Sequence, residues 1–259
     1  MSPAYFNLPN AVLLIFAAVL GGALNAVAGG GSFIVFPALL FTGVPPVPAN
    51  ATSTVAMWTG LTFSGGAFRR HLNVSRRVLM PLVSVSLVGG AAGAWLLLRT
   101  SAHTFLQVLP WLMLTATVLF IFGGKLAGSS AARVDHSAST KAIVAASFFQ
   151  LLVAVYGGYF GGGMSIVILA MLAAFGMADI HEMNALKTIL SSATNGVAVI
   201  IFILKHAVYW PQALVMILGA SLGGYFGAKY SLLLPRVWVR WFVIAVGTGM
   251  TVYFFARGH

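Results

Sequence analysis

The sequence predicts an all-α integral membrane protein made of two inverted-topology repeats, each a glycine-broken helical hairpin followed by three transmembrane helices. Three observations predict it: an apolar composition sustained from end to end, a triple glycine that occurs twice in the same setting, and a lopsided distribution of lysine and arginine. Of 259 residues, 60% are hydrophobic and only 7% charged, and mean hydropathy is +0.98; soluble domains carry roughly 25% charge. Runs of about 20 apolar residues recur throughout, which leaves no stretch for a soluble domain. Cysteine is absent, excluding disulfides and thiolate metal sites. The segment Met1-Ser2-Pro3-Ala4-Tyr5-Phe6-Asn7 lacks a basic leader, so the first apolar run reads as a retained span. A net charge of +11 is compatible with anion chemistry, but in a membrane protein much of it is orientation signal, and no nucleic-acid partner is expected.

The first helix runs over 9–28, breaks at Gly29-Gly30-Gly31, and returns over 32–42, where Pro45, Pro46 and Pro48 end it. Each interior glycine costs a helix about 1 kcal/mol relative to alanine, so three together mark an interruption. A span over 49–68 closes on the basic loop 69–77, and spans over 77–98 and 104–123 follow. The polar stretch 124–140, with Lys125, Arg133, Asp135 and His136, is the only long break in hydrophobicity. It divides the chain into a first repeat (1–125), a cytoplasmic linker (126–139) and a second repeat (140–259). The second repeat runs over 140–160, breaks at Gly161-Gly162-Gly163, returns over 164–175, and continues with spans over 182–204, 209–229 and 235–256.

The halves align in order. Gly29-Gly30-Gly31 falls on Gly161-Gly162-Gly163, Asn50-Ala51 on Asn184-Ala185, and Gly89-Gly90-x-x-Gly93 on Gly223-Gly224-x-x-Gly227, at offsets of 132 to 134 residues. The last set reads as helix-packing glycine. If each broken element is a hairpin returning to its starting face, the second half enters from the opposite side and the repeats are inverted. With the 69–77 loop in the cytoplasm, eleven basic residues then lie inside and only Arg99, Lys205 and Arg257 outside. Single crossings at the breaks give parallel repeats and nine against five. The positive-inside rule prefers the inverted arrangement, with both termini outside.

Inverted repeats with discontinuous helices are where secondary transporters place their substrate sites. In hydrocarbon, an interrupted helix persists only where protein, water or ligand satisfies the freed backbone groups. Each segment after a triple glycine starts with free N–H groups and a positive dipole end, which favours an anion, and Ser32 and Ser165 add hydroxyls there. The alternative, that the glycines only allow a tight crossing, stays open at this point.

Among side chains, Lys187 is the leading candidate, since a charge inside a span is by default functional. Helical spacing aligns Asn184, Lys187, Thr188, Ser191 and Asn195 in one polar stripe. The competing reading is snorkelling, because about five residues is only roughly 7 Å of rise. The first-half counterpart, Asn50, Thr52, Ser53 and Thr54, carries no charge, so the site is asymmetric. Asn25 and Gln150 lie on the helices leading into the breaks, either to donate to an oxyanion or to bond a neighbouring helix. Trp58 is the tryptophan set well inside a span, the other five fitting interfacial belts. The expected binding set is Asn25, Gly29, Gly30, Gly31, Ser32, Asn50, Ser53, Gly161, Gly162, Gly163, Ser165, Asn184, Lys187, Thr188 and Ser191.

Only three acids occur, Asp135, Asp179 and Glu182, none at mid-membrane, which speaks against coupling through a buried carboxylate. The six histidines fall in expected loops or at the terminus, so no catalytic dyad, metal site or cofactor is expected and the chain is read as a non-enzyme. A membrane scaffold would account for the hydrophobicity but not for the breaks.

The whole chain, from about residue 11 to 256, resembles the TauE/SafE family of sulfite exporters. The resemblance lies in Gly29-Gly30-Gly31-Ser32 with Pro37 and Ala49-Asn50-Ala51-Thr52-Ser53, then in Gly161-Gly162-Gly163 with Asn184-Ala185-Leu186-Lys187. It implies a multi-pass protein of a bacterial inner membrane that exports sulfite, sulfonates or related organosulfur anions without ATP. Its partners would be a small anion and the lipid bilayer, and a homodimer is compatible with it. An anion channel and a scaffold subunit are the competing functions.

Overall fold

The computed structural model describes residues 6–27, 30–65, 74–126, 140–177, 179–230 and 236–257. Among them are ten α-helices and no strand: α1 (Leu8–Val27), α2 (Ser32–Phe41), α3 (Pro46–Gly65), α4 (Arg76–Arg99), α5 (Ala102–Leu126), α6 (Thr140–Tyr159), α7 (Met164–Ala174), α8 (Ile180–Leu204), α9 (Trp210–Tyr230) and α10 (Arg236–Arg257). The all-helical membrane reading therefore holds, and the helices end at both glycine breaks. Three details differ. Pro46 and Pro48 do not stop the chain but open α3, where the missing N–H groups would have had no helical partner anyway. α5 runs on through Gly124, Lys125 and Leu126, into the stretch read as polar; linker residues 127–139 lie outside the described residues, as do most of the 69–77 loop and Gly29. His103 and His181 sit in the first turns of α5 and α8, not in loops.

Helix contacts follow one pattern in both halves. α1 packs on α9 as α6 packs on α4, α3 on α9 as α8 on α4, and α2 on α10 as α7 on α5. The glycines explain the closest of these contacts. Gly219, Gly223 and Gly227 of α9 face Ala18, Val19 and Ala23 of α1 in turn, leaving no space for a Cβ, so the two helices run parallel. Gly89 and Gly93 of α4 meet Leu151 and Val155 of α6 in the same way, and Gly90 meets Thr194 where Gly224 meets Gly60. Backbones that approach this closely gain dispersion contact that larger side chains would prevent.

α2 packs against α1 at Gly21: a Cβ on Gly21 would strike Val35, and one on Gly31 would strike the Gly21 carbonyl. At the centre, α3 is buried at every position from 49 to 57, and it crosses α8 at Trp58, whose Nε1 donates to the Ser192 carbonyl at 3.1 Å. Those two residues are 134 apart, the same offset that aligns the halves, so the crossing joins equivalent points of each. The exterior is apolar, with Val12 and Phe16 on α1, Phe148 and Leu152 on α6 and Leu214 and Leu218 on α9 all exposed. Polar side chains are instead buried on α3 and α8. Four helices, Leu8–Ala26, Arg76–Arg99, Thr140–Tyr159 and Glu182–Leu204, are individually long and apolar enough to cross a membrane.

Candidate functional site

The two breaks differ in backbone geometry. Gly31, before α2, has φ −59° in the right-handed region. Gly161 and Gly163, before α7, have φ 78° and 76°, where any side chain strains the backbone. Part of the free donor set expected at each break is used by the turns themselves: Phe33 and Ile34 donate to Gly30 and Gly31 carbonyls at 3.1 Å each, and Ile166 to Gly163 at 3.0 Å. Among the described residues, no turn bond from the Ser32 or Ser165 N–H is seen.

Side chains from three helices converge on the second break. Asn50 of α3 donates from Nδ2 to the Tyr159 carbonyl at 2.9 Å, in the last turn of α6. Tyr156 donates its hydroxyl to the Gly162 carbonyl. On α8, Asn195 places Oδ1 4.0 Å from where a Gly161 Cβ would be, and Thr194 lies against Gly157. The Asn50 and Tyr156 contacts hold carbonyls at the break, whereas Thr194 packs on Gly157 inside α6. Behind the break, Phe160 packs edge-on against Phe36 at 6.0 Å, and Phe36 against Phe105 at 5.9 Å.

Several polar atoms in this region are buried without a hydrogen-bond partner among the described residues: Asn50 Oδ1, Ser191 Oγ, Thr194 Oγ1 and Asn195 Oδ1. Such groups are uncommon, and each calls for a water, an ion or a ligand. Lys187, 7% exposed, lies on the same helix and bonds to Asn184 Oδ1 at 3.2 Å, an uncharged acceptor. None of the three acids of the chain stands three or four residues away from it, the spacing that pairs side chains on a helix. Burial rather than snorkelling describes its position.

The remaining predicted residues separate by how their polar atoms are used. Ser53 and Thr188 return their hydroxyls to the Asn50 and Asn184 carbonyls of their own helices, at 2.9 and 2.7 Å. Gln150 bonds Ser86 Oγ of α4 at 2.8 Å, the helix-to-helix role. Asn25 is half-buried near the end of α1, Gly30 and Gly31 are buried, and Ser165 is 7% exposed. Lys187 is not against the second break: it precedes Asn195 by eight residues, roughly 12 Å of helix. Sequence reading passed over Tyr156 and Thr194. Thr194 is signalled by its place three residues after Ser191, on the turn that also carries Asn195, whereas nothing local singles out Tyr156.

Comparisons with known proteins place this arrangement. The family described as sulfite exporter TauE/SafE matches residues 14–254. A probable membrane transporter protein of Haemophilus influenzae is 27% identical over 229 residues, covering 88% of each chain. The probable membrane transporter protein YfcA of Escherichia coli K12 is 26% identical over 256 residues, 95% of this chain and 90% of its own. A probable membrane transporter protein of a Sinorhizobium species, ORF9, is 28% identical over 225 residues, 85% of this chain and 82% of its own. No solved structure matches significantly. The names point to a multi-pass membrane transporter rather than an enzyme, and the chain belongs to the TauE/SafE family.

Proposed function

We propose that the protein is a secondary transporter that exports sulfite, sulfonates or related organosulfur anions across the inner membrane, and that the anion moves between Lys187 and the second glycine break along the polar face of α8. One observation carries this reading: a buried lysine bonded to a neutral amide. An uncompensated buried cation is strongly disfavoured, so the site is best satisfied when an anion occupies it. From Asn184 to Asn195 the stripe spans roughly 16 Å, and the unpartnered Ser191 and Thr194 hydroxyls line its far end. Hydroxyls donate to oxyanions readily, and the Thr194 and Asn195 end adjoins the backbone donors of the break.

The sulfur cargo rests on the family to which the chain belongs. Inverted repeats are supported by the packing of α2 against Gly21 of α1, which fits a hairpin at the first break, and by the lysine and arginine distribution. With the interior negative, an exported monoanion gains about 2.3 kcal/mol per 100 mV, so no buried carboxylate is required for coupling. The test is counterflow in proteoliposomes with sulfite, a sulfonate, sulfate and a carboxylate, with and without an imposed potential. Saturable, potential-driven sulfite or sulfonate flux is expected. Flux for none of the four would overturn the reading, and single-channel currents would replace the carrier with a pore.

A further inference from the structure

A second anion-recognising feature lies away from both breaks, at the end of the molecule where α4 and α6 begin. These helices run parallel, so Arg76 and Arg77 of α4 and Lys141 of α6 are exposed on one rim, and Arg77 Nη2 donates to Thr140 Oγ1 at 3.0 Å. Beneath them a groove of about 360 Å³ is lined by Arg77, Pro81, Thr140, Ile143, Val144 and Ser147. Its mouth is cationic and hydroxylated, and its sides are apolar. Among the described residues, the Ser147 hydroxyl has no partner and no acidic residue lines the groove. Val144 is 62% exposed on the outward face of α6, where an acyl chain would run.

We infer that this groove binds one anionic phospholipid, its phosphate against the Arg77 guanidinium and its first methylenes along Pro81, Ile143 and Val144. The two chemistries of the groove, a fixed cation above an apolar wall, match the two parts of a lipid and not those of a soluble anion. The opposite pairing of the fold makes the contrast: the starts of α1 and α9 carry Leu8, Pro9, Trp210 and Pro211, with no cation in either first turn. The groove does not depend on what the α8 stripe carries, so failure of one leaves the other standing.

Native mass spectrometry of the purified protein with phosphatidylglycerol and phosphatidylcholine at equal concentration tests the inference. The wild type should retain phosphatidylglycerol about fivefold over phosphatidylcholine, the value of one surface cation against an anionic lipid. Arg77→Gln should bring the ratio near one, and Val144→Trp, which fills the groove from an exposed position, should lower phosphatidylglycerol retention without removing charge. Arg99→Gln, at the other end of α4 where the guanidinium lies 4.9 Å from the Trp95 ring, should retain the wild-type ratio. Glycerol 3-phosphate in excess should not compete. Equal retention of both lipids by the wild type, as when a protein segment fills the groove, would overturn the inference. So would a preference that survives both Arg77→Gln and Val144→Trp, or full displacement by glycerol 3-phosphate, which would mark a soluble-phosphate site instead.

Discussion

At the first break, Gly31 keeps a helical φ of −59° and lies against the Gly21 carbonyl of α1 and Met57 of α3. At the second, Gly161 and Gly163 have φ 78° and 76°, and Asn50 and Tyr156 hold the Tyr159 and Gly162 carbonyls. Gly31 and its counterpart Gly163 thus answer two physical demands. Gly31 is there because a neighbouring backbone leaves no volume for a methyl group, whereas the second turn needs a backbone conformation that L-residues avoid. The second break also has the polar side chains of α3 and α8 and a wall of aromatic rings. Alignment puts Ala28 and Ile168 where Phe160 and Phe36 stand, so that edge-on pair has no aromatic counterpart at the equivalent positions. The two halves pack their helices in equivalent pairs but differ at their turns.

Substitutions can break this contrast. The largest effect on stability is expected for Gly31→Ala, because the added Cβ meets a backbone carbonyl that cannot move without separating α1 from α2. A loss of about 3 kcal/mol should appear in thermal unfolding in detergent, and Gly31→Asn should be no better. Asn50→Leu comes next: it leaves the Tyr159 carbonyl unpaired in a buried site, at a cost of about 2 kcal/mol, and a melting temperature equal to wild type would show that the amide does not hold the break. Gly161→Ala should cost about 1 kcal/mol, the left-handed penalty for an L-residue. Gly161→Asn should cost less, since asparagine tolerates that region and the nearest atoms to a Cβ are 3.3 and 4.0 Å away. Equal losses for the two Gly161 variants would mean that packing rather than φ selects this glycine. Smallest is Ser53→Ala, with less than about 0.5 kcal/mol, because the hydroxyl only returns to its own helix; a larger loss, or a fall in anion flux, would place Ser53 in the site.

Much of this architecture was legible from the chain itself. The ten helices were expected to within a few residues because glycine and proline punctuate them and hydrocarbon fixes their length. The packing role of Gly89, Gly93, Gly223 and Gly227 followed from small-residue spacing. What the sequence hid was tertiary. Nothing local in Asn50 shows that its amide reaches a carbonyl 109 positions later, or that Ser53, three residues on, turns its hydroxyl inward to its own backbone. Tyr156 looked like one more apolar-run aromatic until the turn brought the Gly162 carbonyl back to it. The difference between the two triple glycines was likewise invisible, since φ at a glycine is decided by what packs around it.

The most direct measurement of the central claim is sulfite flux into proteoliposomes for the wild type, Lys187→Ala and Lys187→Arg, each matched for melting temperature and incorporation. If the buried cation on α8 receives the cargo, Lys187→Ala should lose most of the flux, by about 100-fold for a loss near 3 kcal/mol of charge-assisted binding, and Lys187→Arg should restore part of it. Wild-type flux from a folded Lys187→Ala protein would contradict the account.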